Sequence, residues 1–285
     1  MIECTAVQKS VVRWHYDLST VFYRMLWGPH IHHGLWQNAE HAQRLESPGK
    51  AQVQLTETLA DLAGVSEQTK LADIGCGMGG SSIHLARTRH CRATGVTISP
   101  LQRRWAATIA MLKGVRSRTQ FICADAEEIA FDHASFDVVW SIECTEHLFD
   151  KPAFFRKAYD WLKPGGRMAI CAWLAGENLD NADKEQQVYD VCEGFFCPSL
   201  GSAEDYIGWM RDAGMQITGW HDWTRRVERT WDVCEQRVRR TGVRWLAKAI
   251  DQDTVMFLDR FRTLRDAYTT GAMQYGCFVA EKPTL

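Results

Sequence analysis

The 285-residue sequence has no C-x-x-C pair, no run of 18 apolar residues and no excess of either charge. Each absence excludes a class of protein. Its ten cysteines stand singly along the chain, which argues against a zinc ribbon or a dithiol redox centre. Several lie in apolar, strand-like runs, where cysteine acts as a small hydrophobe, and unpaired thiols suit a reducing cytoplasm. Met1-Ile2-Glu3-Cys4 starts no apolar leader, so a cytoplasmic protein without integral membrane association is expected. Lys plus Arg number 33 against 35 Asp plus Glu, a net charge of -2, which leaves no electrostatic footprint for nucleic acid. The longest basic run, Arg237-Val238-Arg239-Arg240, reads as a solvated helix face.

What is present is a core: 46% of residues are hydrophobic. From Leu71 onward, strand-like and helix-like stretches alternate. Strands are expected at 70–74, 92–97, 119–123, 136–141 and 166–173, with helices at 79–90, 99–113 and 151–162. That alternation specifies an α/β fold, a Rossmann-like parallel sheet with helices on both faces. Lys163-Pro164-Gly165-Gly166 reads as a turn before a strand. Four regions follow. Residues 1–64 form N-terminal helices and a His-rich aromatic loop, and 65–175 form the ligand-binding core. Residues 176–270 form a mostly helical substrate cap with one core strand, and 271–285 the final core strand and tail.

The segment "LADIGCGMGGSSIHLA" (Leu71 to Ala86) carries the chemistry. Gly75-Cys76-Gly77-Met78-Gly79-Gly80 matches the dinucleotide fingerprint G-x-G-x-x-G, a weak signal alone. A dinucleotide site also wants an acid at the end of the second strand; "ATGVTISPLQ" (Ala93 to Gln102) has none, only Thr97 and Gln102 as polar candidates. Asp73 stands two residues before the first glycine. A carboxylate there repels a pyrophosphate and suits a cation. S-adenosylmethionine (SAM), with a sulfonium, an ammonium and a ribose, fits, and the glycines let backbone approach it closely. After the third strand, Asp125 is placed to accept the adenine amino hydrogen, with the Ala126 N–H facing a ring nitrogen. Asp73, Thr97, Asp125 and Ser141 all fall at the carboxyl ends of strands, the edge where such sheets bind ligands.

"ADIGCGMGGSS", "GVTISPLQ", "ADAEEIAFDHASFDVVWSIECTEHL" and "LKPGGRMAICAW" resemble a class I SAM-dependent methyltransferase. The flanks "HYD" (His15 to Asp17), "WGPHIHHGLW" (Trp27 to Trp36), "SIECTEHLFDK" (Ser141 to Lys151) and "SAEDYIGWMRDAGM" resemble, more narrowly, the γ-tocopherol C-methyltransferase-like group, which includes natural-product C-, N- and O-methyltransferases. The resemblance implies SAM contacts from Asp73, Gly75, Gly77, Thr97, Ile98, Gln102, Asp125, Ala126 and Ser141, with Tyr16 closing over the cofactor. The chain departs from the tocopherol enzymes at Cys144-Thr145, beside the acceptor pocket.

Methyl transfer from a sulfonium is an in-line displacement that positioning accelerates; a base is needed only where the acceptor must lose a proton. His147 is the candidate base, since free imidazole titrates near neutrality. Glu143 either holds the acceptor or faces the sulfonium. Both residues also suit a second role, as starters and caps of the helix after the fourth strand. His30, His32 and His33 lack a convergent third or fourth ligand, and no metal is expected; His32, His33 and Trp36 are assigned to the acceptor pocket instead. Cys144 and the aromatics Phe195, Phe196, Tyr206 and Trp223 join them as an apolar cavity whose ring faces suit a cation. The expected function is SAM-dependent methylation of an apolar small-molecule natural product: a prenylated aromatic, an isoprenoid or an alkaloid. The resemblance favours carbon as the methylated atom, with nitrogen or oxygen as alternatives. RNA or protein methylation, or SAM binding without catalysis, are weaker readings. A helix tethered by the Trp27–Trp36 loop is of the kind that exchanges between protomers, so self-association through it is a further expectation.

Overall fold

The computed structural model describes residues 1–9, 24, 27–37, 47–241 and 252–284. Tyr16 and the N-terminal helix expected to mediate self-association lie outside them.

A seven-stranded sheet organises the chain. In chain order, after a two-residue strand β1 (Ile2–Glu3), the elements are α1 (Pro48–Ala63), β2 (Lys70–Ile74), α2 (Gly80–Thr88), β3 (Arg92–Thr97), α3 (Pro100–Leu112), β4 (Thr119–Cys123), β5 (Phe136–Ile142), α4 (Lys151–Trp161) and β6 (Leu162–Ala175). There follow α5 (Ala182–Gly194), β7 (Ser199–Leu200), α6 (Ala203–Asp212), β8 (Gln216–Asp222), the single turn α7 (Thr224–Val227), α8 (Arg229–Thr241), α9 (Gln252–Thr270) and β9 (Met273–Glu281). The sheet order is β4-β3-β2-β5-β6-β9-β8. Pairing is parallel through β6, and β9 runs antiparallel to both β6 and β8.

Local chemistry sets the helix ends. Ser47 caps α1 by accepting from the Lys50 N–H, with Pro48 in the first turn and Gly64 closing the helix at φ 70°. Ser99 and Asp150 cap α3 and α4 in the same way, each followed closely by proline. Side chains alternate across the strands. Leu71, Val138, Trp140 and Cys171 join the core cluster shared with α1, α5, α8 and α9, while Ala72, Val139, Met168 and Ile170 face α4 and α6.

The expected strands and helices recur within a few residues at each end, with two differences. The Lys163–Gly166 turn lies inside β6 as an excursion: Phe136 pairs with Leu162, and Val138 already with Arg167. The region expected as a cap divides. Helices α5, α8 and α9 pack together on one face of the sheet, but α6 packs on α4 and β8 on the opposite face.

The chain moves outward from β2 through β3 to β4, then returns to place β5 on the other side of β2. The loops after β2 and β5 therefore diverge at one point, where open α/β sheets bind ligands.

Candidate active site

Beyond Ile74 the chain turns through Gly75, Gly77 and Gly79, with φ of 78°, 52° and 77°, a conformation that costs other residues about 1–2 kcal/mol. Gly75 is needed for space as well: a Cβ there would lie 2.3 Å from the Cys144 Sγ. The β2 and β5 loops touch at that point, and between them opens a cleft of about 810 Å³.

One end of this cleft is lined by Thr97, Ile98, Gln102, Ala124, Asp125, Ala126 and Glu127. The Thr97 hydroxyl donates to Gln102 Oε1 at 2.8 Å, which leaves the buried Gln102 Nε2 with no partner among the described residues. An orphaned buried donor costs about 1–3 kcal/mol, and a ligand acceptor in the cleft relieves it. Asp125 Oδ1 accepts the Glu127 N–H at 2.8 Å, and Oδ2 meets Lys9 Nζ at 2.6 Å. Lys9 also meets Glu127 at 2.9 Å.

The cleft continues past Gly75, Gly77, Ile31 and Ile142 into a recess of about 330 Å³, lined also by His30, His32, Asp73 and Ser81. Asp73 accepts the Ser82 hydroxyl at 2.6 Å. Burial pushes its carboxyl up to about 6, against the hydrogen bonds from Ser82. A cationic ligand group in the recess would restore its ionised form. Burial also holds His30 and His32 below the ordinary imidazole value.

The other wall comes from the loop after β5: Ile142, Glu143, Cys144, His147 and Leu148. Glu143 has a left-handed φ of 54°. That strain, of order 1–3 kcal/mol, is held by three contacts to one carboxylate oxygen. The His33 N–H donates to Oε1 at 2.8 Å, the Tyr275 hydroxyl donates at 2.7 Å, and His33 Nδ1 lies 2.9 Å away. Burial would push the Glu143 carboxyl up, but His33 and His32 outweigh it and hold the group below its ordinary value. Behind it, the His33 ring packs 5.8 Å from Trp173, 5.0 Å from Trp231 and 4.9 Å from Tyr275. His147 Nδ1 donates to the Phe196 carbonyl at 3.1 Å, and burial pushes this imidazole down to about 4.

These features fit a ligand with a cation near one end and a hydrogen-bonding heterocycle at the other, and the comparisons agree. A family model described as "Methyltransferase domain" matches residues 72–170. The chain is 29% identical to the chloroplastic tocopherol O-methyltransferase of Arabidopsis thaliana, over 98% of this chain and 83% of that one. It is also 29% identical to the 27-O-demethylrifamycin SV methyltransferase of Amycolatopsis mediterranei, over 94% and 95%. The chain carries a SAM-dependent methyltransferase domain. In overall fold this methyltransferase superposes with a TM-score of 0.83 on the [4+2]-cyclase SpnF, 22% identical, covering 100% of this chain and 99% of that one. That likeness speaks to the fold alone.

The cleft brings together Gly75, Gly77, Thr97, Ile98, Gln102, Asp125, Ala126, Glu143, Cys144 and His147, with Asp73 and His32 in the adjoining recess. Other expected residues stand elsewhere. The Ser141 hydroxyl donates to the Ile74 carbonyl inside the sheet, at 3.0 Å. Trp36 is buried beneath the Arg229 guanidinium. Trp223 packs beside Arg226 with its N–H on the Tyr275 carbonyl. Phe195 packs edge-on against Trp173 in the core. Tyr206 bonds Thr145 at 2.8 Å and stacks on Phe278, in the layer with α4. Phe196 reaches the site through its carbonyl. Lys9, Ile31, Glu127, Leu148 and Tyr275 were not foreseen. Ser82 had a signal, the hydroxyls that follow the glycines; Lys9 had none.

Proposed function

We propose that this methyltransferase methylates carbon in an apolar isoprenoid or prenylated small molecule, through an acceptor that becomes cationic as the methyl arrives. The observation that carries this reading is Glu143: a buried carboxylate on the cleft wall, braced by His33 and Tyr275 with aromatic rings behind it.

SAM, when bound, supplies an electrophilic methyl group. Asp73, Gly75, Gly77, Thr97, Ile98, Gln102, Asp125 and Ala126 would hold it, the acids at its cationic and amino groups and the glycines along its backbone-facing side. Ile31, Ile142 and Leu148 would exclude water and seat the acceptor, and orientation of this kind supplies roughly 7–11 kcal/mol of a barrier. Glu143, ionised in a low-dielectric wall, would stabilise positive charge growing on the acceptor.

His147 sharpens the choice of acceptor. An imidazole near 4 is poorly matched to a phenol, which titrates near 10. A carbon-bound proton beside a cationic centre is far more acidic, and a weak base suffices to remove it. O-methylation of a phenol is disfavoured on the same ground. N-methylation of an amine needs no strong base and is the second reading.

The test is incubation with trideuteromethyl SAM and an extract of the source organism, read by mass spectrometry and NMR. The expected product is apolar and carries the label on carbon. Label on nitrogen would move the second reading to first place. Label only in macromolecules would overturn the small-molecule acceptor.

A further inference from the structure

We propose that the outer face of α3 docks this methyltransferase on an anionic lipid bilayer. Helix α3 buries only Gln102, Ala106 and Ala110. Of six exposed large hydrophobics among the described residues, four are on it: Leu101, Trp105, Met111 and Leu112, the last 70% exposed. Leu101, Trp105 and Leu112 fall on one stripe at helical spacing, roughly 120° round the helix from the buried stripe. They are therefore outside the sheet contact altogether.

Charge selects the occupant. The whole chain carries -2, yet residues 100–118 hold five basic residues (Arg103, Arg104, Lys113, Arg116 and Arg118) and no acid. Beside the helix runs a groove of about 1170 Å³ floored by Met78, Ile83, Trp105 and Ile109. Arg24, Arg87 and Lys113 rim it, and no carboxylate among the described residues lines it. Leucine and tryptophan flanked by cations form an interfacial surface: the apolar side chains enter the acyl boundary while the bases meet lipid phosphates. A second copy of the chain meeting this face symmetrically would set cations against cations. Nucleic acid would use the charges but not the leucine stripe.

Gln102, on the buried stripe of the same helix, lines the cofactor cleft. Docking would therefore hold the cleft close to the bilayer surface, whatever the acceptor proves to be.

The experiment is sedimentation of the full chain with vesicles of phosphatidylcholine and phosphatidylglycerol (7:3), against phosphatidylcholine alone. Binding to the anionic vesicles only, weakened at high salt, is expected. The R103Q/R104Q/K113Q variant should bind about 100-fold less, since each cation contributes roughly fivefold. W105S/L112S should also lose binding, with SAM affinity and melting temperature retained in both variants. Absence of binding to anionic vesicles, or binding that both variants retain, overturns the proposal. So does a concentration-dependent dimer abolished by W105S/L112S, or RNA retention abolished by R103Q/R104Q/K113Q, in a chain that ignores vesicles.

Discussion

The two walls of the cleft are built by different means. The wall at the ends of β2, β3 and β4 consists of short-range devices: a left-handed glycine turn, Asp73 with Ser82, Thr97 with Gln102, and Asp125 closing its own turn onto Glu127. Each joins partners within ten residues. The wall beyond β5 is tertiary. Glu143 is braced by His33 from the N-terminal loop and Tyr275 from the last strand, and His147 by the Phe196 carbonyl from the loop after α5. In the proposed assignment the first wall holds SAM and the second faces the acceptor. The difference predicts that substitutions on the first wall change SAM affinity, while those on the second change turnover.

Glu143→Gln should have the largest effect. The amide keeps an oxygen for the His33 N–H and the Tyr275 hydroxyl, so the fold and SAM affinity should persist. Loss of the fixed charge should lower kcat by about 10²–10³-fold. Turnover within tenfold of the parent would show that positioning alone suffices and that this wall is not electrostatic.

Asp73→Ala should act in the other sense, weakening SAM about 100-fold by calorimetry with little change in kcat at saturation, in line with the roughly 1.5–3 kcal/mol of a charge-assisted contact. Affinity within twofold of the parent would remove Asp73 from the cofactor site. A pH dependence accompanies it. The carboxyl is raised to about 6, so it is mostly protonated at pH 5 and ionised at pH 7. Cation binding requires the ionised form. SAM affinity should therefore rise about tenfold from pH 5 to 7 and level off above, and Asp73→Ala should flatten that rise.

The same contrast explains what could be read in advance. Strand-end residues followed by short turns were legible, because a parallel strand delivers its terminus to one edge whatever the rest of the chain does. Ser141 does not line the cleft: it stands one residue before the end of its strand, and its hydroxyl donates to the Ile74 carbonyl of the neighbouring strand. The aromatics stand apart from the cleft for a different reason. Composition identified Trp36, Phe195, Tyr206 and Trp223 as apolar payload, but the face of the sheet that receives each one is decided by chain topology. Tyr206 ended in the layer with α4 because α6 crosses there. Tyr206→Phe tests this: it should cost about 1 kcal/mol of stability through the lost bond to Thr145 and leave the acceptor KM unchanged. A KM shift beyond threefold would return Tyr206 to the acceptor site.

Lys9 is the exception within the first wall, and the smallest effect follows from it. It reaches Asp125 and Glu127 from the N-terminal segment, which β1 anchors by pairing with β7. Nothing in the local sequence of either partner announces the contact. Its side chain is 41% exposed, so the ion pair contributes little to stability, and Lys9→Met should scarcely move the melting temperature. Its influence is on Asp125, whose Oδ2 it occupies. Removing the cation frees that oxygen for a donor in the cleft, so SAM should bind about two- to threefold tighter at low salt. The gain should fade at high salt, as screening weakens an exposed pair. A tenfold loss of affinity instead would mean that Lys9 touches the cofactor itself. One tertiary contact would then have entered the wall that is otherwise encoded locally.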